Sequence, residues 1–61
     1  MRISELREDK GLSRISLARH LDVSLQTLRN WDKGRVMPNM SNIEMMIKIF
    51  NCETKDLFEF P

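Results

Sequence analysis

Four polar side chains, Gln26, Arg29, Asn30 and Lys33, fall at helical spacing opposite Leu28 and Trp31. Residues three and four apart share a helix face, so this stretch predicts a short helix with one apolar and one hydrogen-bonding face. The chemistry on offer is recognition. Arg donates two parallel hydrogen bonds, and Asn or Gln sets a donor beside an acceptor; these patterns match guanine and adenine edges in a major groove. Leu25, at the start of the same helix, suits a thymine methyl. The free amides of a helix N-terminus suit phosphate. Any surface helix has polar residues outside, so this face gains meaning only from its surroundings.

Bond-making chemistry has little to work with. The chain shows no Ser/His/Asp arrangement and no glycine-rich phosphate loop. His20 stands alone on the outward side of a helix, and a metal site would need more ligands than Cys52 and the carboxylates supply. No enzymatic activity, cofactor, metal or small-molecule ligand is expected. Cys52 is the single cysteine, which rules out an internal disulfide. With no signal-like apolar segment, a reducing, cytoplasmic setting is expected. No apolar run approaches the roughly 20 residues that span a bilayer, so no membrane partner is expected.

The 61 residues allow one domain, 1–61, and carry a net charge of only +1. The charge is uneven. Residues 1–37 hold a net +3 and the remainder a net −2, which predicts an N-terminal part that faces anions. Ordinary solvated charge accounts for so small an excess equally well.

The elements that must position the polar face are short helices. Ile3 and Leu6 share a face of a first helix, which Gly11 ends. Ser13 caps a second helix running to about Leu21, with Leu17, Ala18 and Leu21 inward. Ala18 suits a close crossing, because it has almost no side chain. Asp22-Val23-Ser24 is a tight break; Asp tolerates the left-handed conformation better than most residues other than glycine. Ser24 caps the third helix, Leu25 to about Lys33, and Gly34 terminates it. After Pro38, either Asn39 or Ser41 caps a fourth helix. Its expected buried stripe is Met40, Ile43, Met46, Ile47 and Phe50, with Met40, Met45 and Met46 mostly core filler. Asn51 is a stop, and a last turn near Thr54–Phe58 folds Leu57 and Phe58 onto the core. The expected fold is all-α, a compact bundle of four to five short helices. Trp31 is expected in the core, and Cys52 acts as a small hydrophobe.

Leu6 to Ser13, Leu17-Ala18, Leu21 to Ser24, Thr27 to Gly34, then Pro38 and Leu57-Phe58, together resemble the Cro/repressor-type (xenobiotic-response-element) helix-turn-helix family. The match runs without gaps over nearly the whole chain. The resemblance implies a lambda-repressor-like DNA-binding domain whose third helix reads double-stranded DNA. Leu25, Gln26, Arg29 and Asn30 then stand where family members contact base edges. Thr27, Ser13, Arg14, Lys33 and Arg35 stand at backbone-contact positions. Arg7 and Asp32 match a pair that bridges the first and third helices and aims the arginine at phosphate; the plain alternative is a surface ion pair worth under about 1 kcal/mol. Arg14 replaces a common Gln, Asp22 and Asn51 replace common glycines, and Ile15 replaces a commonly polar residue. Arg29 stands where many members are small and polar, so the operator is not transferable from a relative.

The implied function is a transcriptional regulator, foremost a repressor that occludes a promoter. Met45 and Ile49, off the main stripe, and Phe60 suggest a homodimer through the fourth helix and C-terminal tail, reading a near-palindromic site. Packing of the same residues within one chain is the alternative. Residues 23–32 also resemble the winged domain of mercury-resistance-type regulators and excisionases, which requires a strand hairpin after the recognition helix. A third reading keeps the fold but binds protein, as an antitoxin or anti-repressor partner would; near-neutral charge is its best support.

Overall fold

The computed structural model of the chain describes residues 1–58. Five helices follow one another: α1 (Ile3–Asp9), α2 (Arg14–Leu21), α3 (Leu25–Asp32), α4 (Met40–Phe50) and α5 (Thr54–Leu57). The chain after α3 enters a helix where a winged domain needs a hairpin, and no strand occurs among the described residues. That reading is therefore overturned.

Three helices begin alike. Ser13, Ser24 and Asn39 are extended, and each side chain accepts a bond from the amide three residues on: Ser16 at 3.0 Å, Thr27 at 3.1 Å and Asn42 at 2.9 Å. Each satisfies one orphan amide of a first turn. Asn39, not Ser41, is thus the cap of α4.

Four helices also end alike. Gly11, Asp22, Gly34 and Asn51 have φ of 68°, 55°, 75° and 52°. Behind each, two amides fold back onto the helix's last carbonyls. At α2, Asp22 N donates to Arg19 O and Val23 N to Ala18 O; at α3, Gly34 N donates to Trp31 O and Arg35 N to Asn30 O. The same pair closes α1 through Gly11 and Leu12, and α4 through Asn51 and Cys52. This is the Schellman arrangement, which needs a left-handed residue after the helix. Glycine takes that conformation freely, and Asn and Asp at modest cost.

The core lies where these helices meet. Ile3, Leu17, Ala18, Leu21, Leu28, Trp31, Ile43, Met46, Phe50 and Leu57 are all buried. α3 packs on α1 and α2, and α4 on α2 and α5. Ala18 is buried where α2 contributes to the crossing, and its carbonyl anchors the turn to α3. Leu6, Leu12, Val23, Ile47 and Ile49 ring the core half-buried, with Phe58 and Cys52. Burial first, and then the Asp56 carboxylate, push the Cys52 thiol above its usual range. That agrees with a packed hydrophobe and not with a reactive thiolate.

One part of the expected stripe fails. Met40 is 69% exposed and does not join the core. It is the first residue of α4 and overhangs the core's edge, although its periodicity matches the buried positions. Met45 is also exposed, so Met46 alone of the three methionines fills the interior.

The Asp22 turn sets how α3 leaves α2, and its strain is local. Asp22→Gly is expected to hold or raise stability, by up to about 1 kcal/mol, because glycine relieves the left-handed strain. Asp22→Val should lower it by about 1–2 kcal/mol, since a β-branched residue resists that conformation. Urea unfolding of the three proteins measures both.

Candidate nucleic-acid interface

α3 lies with Leu28 and Trp31 buried and with Gln26, Arg29 and Lys33 exposed. The two faces expected from the sequence are therefore both present. α1, the start of α2 and the outer side of α3 enclose an open cleft of about 550 Å³. Leu25, Gln26 and Arg29 line it from α3, Lys33 from the cap at its end, Arg14 from α2 and Arg7 from α1. Six of the ten side chains singled out for DNA contact thus share one surface. Four of them are cations, drawn from three helices.

The cleft also holds one acid, Asp32, and the structure accounts for it. Asp32 Oδ1 accepts from the Ser4 amide at 3.2 Å and Oδ2 from the Ser4 hydroxyl at 2.8 Å. The carboxylate sits at the last residue of α3, an unfavourable place for its own helix dipole. It sits at the same time against the first turn of α1, where negative charge is favoured. Arg2, the N-cap of α1, supplies no side-chain cap, so an acid from another helix does that work. The bond ties α3 to α1 and occupies the one negative charge that lines the cleft among the described residues.

The Arg7–Asp32 bridge expected from the resemblance does not form. Arg7 Nη1 instead donates to the Leu12 carbonyl at 2.6 Å, and its Nη2 lies 3.5 Å from Glu8. Ser4 reaches the carboxylate from both its amide and its hydroxyl, which leaves the Arg7 guanidinium to brace the α1–α2 turn. Its side chain is only 11% exposed, so its charge reaches the cleft from a fixed position. Arg14 is exposed.

The remaining positions stand apart from this cleft. Asn30 is half-buried, and its Oδ1 accepts from Gln26 Nε2 at 3.2 Å. The two amides one turn apart thus orient each other. The bond uses Asn30's acceptor and leaves its NH₂ group free to donate. Thr27 is half-buried, and its hydroxyl accepts from Ser24 Oγ at 2.9 Å. Ser13 Oγ accepts the Ser16 amide and keeps its own proton for donation. Ser13 lines a second, shallower depression beside Arg14. Arg35 is exposed beyond the end of α3, outside the cleft.

Of the apolar positions assigned to a partner chain, Met45 is exposed. Ile49 is half-buried against the core. Phe60 lies outside the described residues. Sequence periodicity gave no role to Val36 and Met37 and placed Met40 in the core; all three are more than half exposed, between the end of α3 and the first turn of α4. Only their place between two stop-and-start signals marks them as loop and rim residues.

Compared with known families, the chain matches a model described as helix-turn-helix over residues 3–57. No curated protein shows a significant match to it.

The two arginines of the cleft differ in a way that experiment separates. Arg7→Ala should destabilise the fold by about 1–3 kcal/mol, because it strips a charged donor from the Leu12 carbonyl. Arg14→Ala should leave the unfolding midpoint within about 0.5 kcal/mol of the parent, since it removes an exposed side chain. Chemical denaturation of both variants supplies the comparison.

Proposed function

The chain belongs to the Cro/C1-type helix-turn-helix family of DNA-binding regulators, and on that premise we propose that it is a cytoplasmic transcriptional repressor that binds a near-palindromic operator as a homodimer. The observation that carries the reading is the cleft. It gathers Arg7, Arg14, Arg29 and Lys33 beside Gln26 and Leu25, with its acid already engaged by Ser4. A phosphate backbone supplies the anion for such a surface, and the base edges supply the partners for Gln26, Arg29 and Asn30.

Roles divide by chemistry. Arg7, Ser13, Arg14, Thr27, Lys33 and Arg35 hold the backbone and fix the register. Leu25, Gln26, Arg29 and Asn30 read bases. Repression follows from occupancy of a promoter and requires no reaction. The exposed apolar group supports pairing of two copies. Met45 and Met40 of α4, with the loop residues Val36 and Met37, leave apolar surface in water on a small domain. Two copies on successive turns of a duplex place their α3 helices about 34 Å apart. A protein partner for the same apolar surface is the competing reading, favoured by the near-neutral net charge.

Selection from randomised duplex DNA at near-physiological salt tests the proposal. An enriched inverted repeat is expected. Arg29→Ala and Asn30→Ala should each cost about 1–3 kcal/mol of binding and relax base preference at one position. Lys33→Ala should weaken all duplexes alike and flatten the salt dependence by about one unit of slope. No enrichment, with only weak salt-sensitive binding, would mean that the fold serves a protein partner.

A further inference from the structure

Ile15 and Leu25 are out of place as core residues. Ile15, the second residue of α2, is 53% exposed, and Leu25, the first residue of α3, is 48% exposed. Neither belongs to the buried cluster or to the half-buried ring packed on it. Both line one shallow depression at the starts of α2 and α3, together with Arg7, Glu8, Ser13 and Arg14. The depression therefore combines two branched apolar side chains with two guanidinium groups. Glu8 is its only acid among the described residues, and Glu8 lies 3.5 Å from Arg7 Nη2, which offsets its charge.

The composition selects an occupant. The guanidinium groups and the Ser13 hydroxyl match a phosphate. The apolar pair has no use for phosphate or for a hydrogen-bonding base edge. In the major groove, the apolar group that distinguishes one base from another is the C5 methyl of thymine. A depression that sets two exposed apolar side chains beside two guanidinium groups matches a duplex at a methylated pyrimidine.

We infer that Ile15 and Leu25 together form an apolar notch for the C5 methyl of a pyrimidine, with Ile15 a specificity-determining residue of the domain. The inference rests on the DNA-binding reading above and adds to it a residue on α2, outside the base-reading helix. It has a chemical corollary. 5-Methylcytosine carries the same methyl at the same place in the groove, so the notch senses cytosine methylation at that position.

The test uses the full chain and the duplex that selection returns. Each thymine is replaced in turn by deoxyuridine, which removes only the methyl, and affinity is read by fluorescence anisotropy. One position in each half-site should lose about fourfold, the weight of one buried methyl group. Ile15→Ala, at an exposed position and with folding checked by circular dichroism, should bind the thymine and deoxyuridine duplexes equally there. At that position 5-methylcytosine should bind more tightly than cytosine by a similar factor, and Ile15→Ala should abolish the difference. An enriched site at which deoxyuridine is tolerated everywhere would overturn this inference alone. So would a methyl effect that Leu25→Ala removes and Ile15→Ala leaves intact. Selection that enriches no site would overturn the DNA-binding reading and this inference with it.

Discussion

Four residues held in the left-handed conformation set the geometry on which everything else rests. Gly11, Asp22, Gly34 and Asn51 each turn the chain within two residues of a helix end. A chain this short buries only about 60% of its unfolded surface. It has no length to spend on long connections. Sharp reversals let helices of seven, eight, eight and eleven residues meet around one core. They also answer the carbonyls that would otherwise be left unpaired at each end. The Asp22 turn has the further consequence that α3 leaves α2 with Leu28 and Trp31 inward, which forces its polar face outward.

Those turns were legible in the sequence because their causes are local. A Ser or Asn three residues ahead of an amide, and a Gly, Asp or Asn just past an apolar stripe, act within a few bonds of themselves. The helix limits followed from them, as did the buried positions of Leu17, Ala18, Leu28 and Trp31. Met40 was misread because periodicity reports a face but not how far along the helix the core extends. The partner of Asp32 was misread for a related reason. Arg7 and Ser4 lie on the same short helix, and only the packing angle between α1 and α3 decides which of them meets the carboxylate. The internal bonds of Asn30 and Thr27 were likewise invisible to spacing alone.

The electrostatics show how little a net charge says. A total of +1 describes the chain as almost neutral. The fold brings Arg7, Arg14, Arg29 and Lys33 to one cleft, and Ser4 answers the acid among them. A surface potential depends on such placement and not on the sum over the chain. The cations also differ in kind. Arg7 is braced by a backbone carbonyl and nearly covered, whereas Arg14, Arg29 and Lys33 stand in solvent. One fixed charge among three adaptable ones gives the surface a reference point as well as reach.

The two ends of the described chain meet. The Arg2 amide donates to the Leu57 carbonyl at 3.0 Å, and Arg2 Nη1 donates to the Asp56 carbonyl at 3.2 Å. The helical path is therefore close to a ring, opened at a single seam. A short bridge across that seam, with a new opening in the exposed loop 35–37, would keep the five helices in their places. The chain thus enters and leaves its helical part, at Arg2 and Leu57, through one spot, so the unit behaves as a bead that is strung through one hole.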